Sequence, residues 1–242
     1  MRSAEGGDLP AKGMNRFMSA VQLIYRTSIG KKVIMAVTGL ILAGYVFVHM
    51  LGNLKIYLGA ESLNHYAEWL REVGAPFFFH TQALWLVRIV LLVAVGLHIL
   101  TALQLWGMAN AARSAPYDER KPSASLYIGQ MMRLGGLAIA FFVFYHIMHF
   151  TTGTFHPTFV PGEVYYNVVS GFQMPLVSLF YIAALVALGA HMLHGIWSMF
   201  QTVGLNNRRY SMVWRWVAAL VTAAVLIGNI SIPVAVLAGW IS

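Results

Sequence analysis

Five stretches of the chain run almost unbroken through apolar residues, with short polar segments between them. They lie near Val33–Leu54, Ala83–Met108, Leu134–Thr151, Pro175–Phe200 and Val217–Gly239. At about 1.5 Å of rise per residue, each is long enough to cross a hydrocarbon core about 30 Å thick. Backbone polar groups in lipid must be satisfied within the segment, so all five are predicted to be helices. Leu63, Tyr66, Leu70 and Val73 recur at helical spacing in the segment Glu61–Gly74. That pattern predicts a short amphipathic helix lying on the membrane surface. Pro116–Ser125 is polar and proline-flanked, which predicts a turn. The expected fold is an all-α membrane bundle of five transmembrane helices, with residues 1–30 as an N-terminal segment and 31–242 as the bundle.

Composition agrees with that pattern. Of 242 residues, 59% are hydrophobic and 10% charged, and the mean hydropathy is +0.67. Soluble domains carry about 25% charged residues. Residues 1–30 lack the apolar core and cleavage site of a secretory signal, so the first span is expected to remain as an anchor. The net charge of +8 is unevenly placed. Arg2, Lys12, Arg16, Arg26, Lys31 and Lys32 precede or open span one; Arg113, Arg120, Lys121 and Arg133 lie between spans two and three or open span three. Arg208, Arg209 and Arg215 lie between spans four and five or open span five, leaving Lys55, Arg71 and Arg88 for the opposite side. The positive-inside rule then predicts a cytoplasmic N-terminus and an outer C-terminus in a bacterial inner membrane. The charge reflects topology, and no nucleic-acid partner is expected. There is no cysteine, which excludes thiolate ligands, iron–sulfur clusters held by this chain and covalently attached haem.

Four spans carry a deep histidine: His49, His98, His146 and His191. Ionisable residues inside a bilayer are expensive and mark function. With the predicted topology, His49 lies about 24 Å and His146 about 18 Å from the inner edge. His98 and His191 lie about 22 to 24 Å from the outer edge. Two pairs at two depths are what two haems with histidine on both faces would require. Gly52, Gly96, Gly135, Gly136 and Gly195 flank these positions and favour close approach, although glycine is also common in ordinary membrane helix packing. His149 and His194 follow three residues after His146 and His191 and share their helix faces, so spacing leaves the ligand in those two spans open. A proton relay and a simple hydrogen-bonded histidine are the rival uses of the extra pair.

The segment SIGKKVIMAVTGLILAGYVFVHMLGNL, Ser28 to Leu54, closely resembles the first helix of cytochrome b558 subunits. These are the single-chain, five-helix, dihaem membrane anchors of succinate dehydrogenases and fumarate reductases. GLHILTALQLW from Gly96, RLGGLAIAFFVFYHIMH from Arg133 and HMLHGIWSMF from His191 resemble later segments of the same family, in order. In that family the third ligand falls ten residues after a glycine that follows an Arg-x-x pattern, which from Gly136 is His146. The fourth lies four residues before the glycine of a Gly-aliphatic-Trp-Ser stretch, which from Gly195 is His191. The resemblance pairs the first helix with the third and the second with the fourth, as depth does. It implies two b haems, a flavoprotein subunit and an iron–sulfur subunit as partners, and a quinone, menaquinone by resemblance, as substrate. A higher oligomer of the complex is compatible with it.

Several supporting residues follow from chemistry. Haem propionates favour cations, and Arg88, Arg133 and Lys31 are candidates, although snorkelling or interfacial anchoring accounts for each equally plainly. The loop Lys55–Gln82 departs from relatives, some of which carry a carboxylate needed for quinone there. Glu61, Glu68 and Glu72 are candidate carboxylates, and His65 and His80 candidate proton donors beside them. Surface charge on an amphipathic helix explains any one of these as well. Two other functions are weighed: a haem b anchor of a hydrogenase or formate dehydrogenase, and a haem-free proton or solute carrier with a histidine relay. Physiological direction, succinate oxidation or fumarate reduction, is not written in the residues.

Overall fold

The computed structural model describes residues 27–112 and 124–242; Arg2, Lys12, Arg16, Arg26, Arg113, Arg120 and Lys121 lie outside them. The described residues form seven α-helices and one 3-10 turn, with no strand among them. The helices are α1 (Ser28–Asn53), α2 (Ala60–Glu72), α3 (Gln82–Ala111), α4 (Ala124–Phe150), α5 (Val164–Phe172), α6 (Pro175–Thr202) and α7 (Ser211–Leu237). The 3-10 turn Leu54–Leu58 links α1 to α2. Five helices, α1, α3, α4, α6 and α7, are long and apolar enough to cross a membrane.

Three helices start at least five residues earlier than the apolar pattern predicts: α1, α4 and α7, the last at Ser211 rather than Val217. α1 opens at Ser28 because Thr27 caps it, its hydroxyl accepting from Gly30 N–H at 3.0 Å. α4 opens at Ala124, so Ala124 and Ser125 are helical rather than part of a turn; the rest of the predicted turn, through Ser123, lies outside the described residues. α6 opens where expected, with Pro175 in its first turn, where a missing N–H costs nothing.

α7 and α6 make the most extensive helix pair, and α1 packs on both. Met192 and Ile196 of α6 and Ala218 and Val225 of α7 form a buried cluster that Ala43, Val46 and Phe47 of α1 close. α3 lies along α1, and α4 along α6. The row α3–α1–α6–α4 is therefore backed at its middle by α7. No extensive packing joins α3 to α4, α1 to α4 or α3 to α6 among the described residues. Outward faces are apolar: Leu86, Val87, Ile89, Val90 and Leu92 of α3 are all exposed. Helices apolar on their outer faces suit lipid as solvent.

One end of the bundle is capped by α2 and α5, which pack on each other. The amphipathic helix predicted for Glu61–Gly74 is there as α2, but its apolar face turns into the protein: Leu63 is buried in a core cluster with Val169, Phe172 and Ile232. α5 was not predicted. Its first turn is held by a distant side chain, Asn64, whose Oδ1 accepts from Tyr165 N–H at 3.0 Å while its Nδ2 donates to Glu163 at 2.9 Å. Gly52, which the sequence marks as a place of close approach, makes room for Tyr66. A Cβ there would stand 2.8 Å from the Tyr66 ring. Gly52→Ala is expected to lower stability by about 1–3 kcal/mol, the cost of overpacking a filled core. Thermal unfolding in detergent should show this loss, and Tyr66→Leu in the same chain should recover most of it.

Candidate functional site

His49 and His146 each stand four residues before the last residue of their helices, α1 and α4, which end at the capped side. Four residues are about 6 Å of helix. His98 and His191 each stand sixteen residues after the first residue of α3 and α6, which begin at that side. They lie about 24 Å along those helices. The two pairs are thus at different levels of one bundle, each on helices that do not pack on each other.

The rings of each pair face one another. The centroids of His49 and His146 are 5.9 Å apart with planes at 84°, and those of His98 and His191 are 6.3 Å apart at 63°. A metal ion about 2 Å from one nitrogen on each side, with each nitrogen about 1.1 Å from its ring centre, needs centroids roughly 6 Å apart. Both pairs fit that separation. Among the described residues no three metal-ligating side chains converge, so the histidines meet as pairs. His146, not His149, faces His49; His191, not His194, faces His98.

The ring nitrogens are unequally served. Thr38 on α1 has its hydroxyl 2.8 Å from the Ile34 carbonyl, 3.2 Å from the Met35 carbonyl and 3.1 Å from Nδ1 of His98. Carbonyls only accept, so the hydroxyl proton is committed to the helix and the oxygen accepts from Nδ1–H. That tautomer leaves the lone pair on Nε2, the nitrogen a metal would take. Nδ1 of His191 is buried with no hydrogen-bond partner among the described residues. The second pair is walled by rings: Tyr45 stacks on His49 at 5.3 Å, and Phe142 and Phe150 stand 5.8 and 5.9 Å from His146. At these separations each pair would be able to hold a metal such as a haem iron between two imidazoles.

The remaining candidates fall in different places. Arg88 lies over the Trp85 ring at 4.9 Å and lines a cleft of about 310 Å³ at the capped end. Arg71 of α2 lines the same cleft, with Phe150, Thr151, Phe159 and Asn167. Spacing gave no hint of Arg71, because only the docking of α2 brings it beside Arg88. Arg133 lies over Trp106 at 5.5 Å, toward the opposite end, and Lys31 is buried at the start of α1, also at that end. Glu61, His65, Glu68 and Glu72 occupy the exposed face of α2, and His80 is exposed beyond it. None of these five lines the cleft. His194 packs beside Trp197 at 6.2 Å, and Gly96 is exposed on the outside of α3.

No family model, no curated protein and no solved structure matches the chain.

Thr38 offers a direct check on the pair it supports. Thr38→Val keeps the shape and takes the hydroxyl away from Nδ1 of His98, an expected cost of about 1 kcal/mol. Thr38→Ser should stay close to the parent. Equal melting temperatures for the Val and Ser proteins would show that the hydroxyl holds nothing.

Proposed function

We propose that the chain is the dihaem membrane anchor of a succinate:quinone oxidoreductase or quinol:fumarate reductase. The observation that carries this reading is the facing of His49 with His146 and of His98 with His191, at two levels, at spacings of 5.9 and 6.3 Å. The ordered resemblance of four segments to cytochrome b558 subunits supports it. Two b haems held in this way supply one-electron transfer between the two membrane faces. Imidazoles on both axial positions leave no open position for oxygen, so the chain conducts rather than activates.

The protein's own contribution is to hold and to insulate. Thr38 fixes the tautomer of His98, and Tyr45, Phe142 and Phe150 shield the other pair. Arg88 and Arg71, half-buried in one cleft, form the cationic place for propionates of the group held by His49 and His146. Arg133 and Lys31, at the opposite end, are the cations available to the other group. In this reading the N-terminal end of the bundle faces the cytoplasm of a bacterium and docks an iron–sulfur subunit, itself joined to a flavoprotein. Arg208 and Arg209 are exposed there and suit an acidic partner face. Quinone, menaquinone by resemblance, reacts near the capped end. Glu61, His65 and Glu68 point to solvent or headgroups, which makes them suited to exchanging protons with the aqueous phase rather than to gripping a quinone ring.

A dithionite-reduced minus oxidised spectrum of the purified protein, with pyridine haemochrome quantitation, tests the reading. Two b haems per chain are expected, and His49→Ala and His98→Ala should each remove a different one. A protein without haem would sink the proposal and favour a histidine-relay carrier. Arg88→Gln is expected to weaken retention of the haem lost in His49→Ala and spare the other, measured as haem content after detergent washing.

A further inference from the structure

A string of polar side chains runs outward from His146 through surroundings that are otherwise apolar. Tyr181 of α6 is buried, with its hydroxyl 3.0 Å from Nδ1 of His149 and 3.5 Å from Nδ1 of His146. His149 is 1% exposed, the most enclosed histidine of the chain's described residues. Its ring stacks on His156 at 4.8 Å and 19°. Nε2 of His156 lies 2.8 Å from the Asn167 carbonyl, and the Asn167 side chain clasps both backbone groups of Val160 at 2.8 and 2.7 Å. A Cβ on Gly171 would stand 3.0 Å from His149 and 3.2 Å from His156, so a residue without one lets α5 close over the stack.

The protons along this string can be placed by elimination. The Asn167 carbonyl only accepts, so His156 donates from Nε2; its Nδ1 is then free to accept the Thr158 N–H at 3.3 Å. If His146 binds iron through Nε2, its Nδ1 carries the proton, and the hydroxyl oxygen of Tyr181 is the acceptor within reach. Tyr181 has one proton of its own, and the shorter bond sends it to Nδ1 of His149. All donors then point one way: His146 to Tyr181, Tyr181 to His149.

We propose that Tyr181 and His149 are positioning residues for the haem held by His49 and His146, Tyr181 accepting from Nδ1–H of His146 and His149 keeping the Tyr181 oxygen turned toward it. The proposal rests on the dihaem reading. It assigns a task to the second histidine of α4, which the sequence left open. A hydrogen bond from Nδ1 makes an axial imidazole more basic, and a chain of such bonds polarises each member. The more basic ligand favours the oxidised iron and so lowers its potential. At the other pair the corresponding chain is short: Nδ1 of His98 meets the Thr38 hydroxyl, which turns its proton to its own helix.

The test is a redox titration of each haem in the isolated membrane complex, with the low-spin electron paramagnetic resonance signal read beside it. Tyr181→Phe is expected to raise the potential of the His49–His146 haem, shift its signal, and leave the other haem where it was. His149→Phe, which keeps a stacking ring and removes the acceptor, should move it the same way by less; His149→Gln, which restores an acceptor, should stay nearer the parent. Unchanged potential and signal in Tyr181→Phe would overturn the proposal, as would an equal shift of both haems. If Tyr181→Phe loses the haem, the His149 variants decide: no shift in either, or the same shift in both, overturns it. A parent complex that binds no haem would instead bring down the dihaem reading itself.

Discussion

An imidazole inside an apolar bundle must find a partner for each nitrogen, and that requirement organises the interior of this protein. The unpaired alternative costs a few kcal/mol for each buried polar group. Lipid offers no donor or acceptor, so partners must come from neighbouring helices. Among the described residues the histidines answer it unevenly, and Nδ1 of His191 has no hydrogen-bond partner. His98 takes the hydroxyl of Thr38, on the helix it packs against. His149 takes Tyr181 and the ring of His156. His49, His146 and His191 turn toward a histidine on a helix with which their own makes no extensive contact.

The helix arrangement makes this possible. Direct packing is confined to the row α3–α1–α6–α4 and to α7 behind it. Both histidine pairs reach across the row to second neighbours, which places the rings on one side and α7 on the other. The residues of α1 divide accordingly: Ala43, Val46 and Phe47 lie against the α6–α7 cluster, while Thr38, Tyr45 and His49 serve the histidine side. A helix with two such faces needs polar residues on one and apolar residues on the other. α1 has both within 12 residues, Thr38 to His49.

Legibility followed the range of the interactions. The five spans are written in the local run of apolar residues, and the seam of paired histidines in their depth along each run. Helix ends were less legible: Thr27 caps α1 through one hydrogen bond, and hydropathy does not register a cap. α5 was invisible because its first turn is secured by Asn64, 101 residues before Tyr165. The cleft was invisible for a similar reason. Arg88 stood out as a cation inside an apolar run, but Arg71 looked like any charge on an amphipathic helix until α2 docked beside α3. Glu61, His65 and Glu68 attracted notice as titratable groups in a divergent loop, yet all three share the one face of α2 that packing leaves outside. Spacing alone also could not separate His146 from His149, since residues three apart share a helix face. What separates them is His49, which faces His146 across the bundle, while Tyr181 on α6 lies within reach of both.

The two ends of the bundle are built to different standards. At the capped end, α5 closes over His149 and His156, and side chains from five helices meet within one core cluster and one polar string. Such enclosure fixes the rings near His146 and, with a haem held there as proposed, would keep water from it. The opposite end exposes Arg133, Arg208, Arg209 and Arg215 and has no capping helix among the described residues. An open basic face suits the reversible meeting of charged surfaces, where steering by charge governs association more than buried area does. A conductor between a soluble partner and the membrane needs both properties, and it needs them at opposite ends. The asymmetry therefore follows from the same reading as the histidine pairs, although no histidine takes part in it.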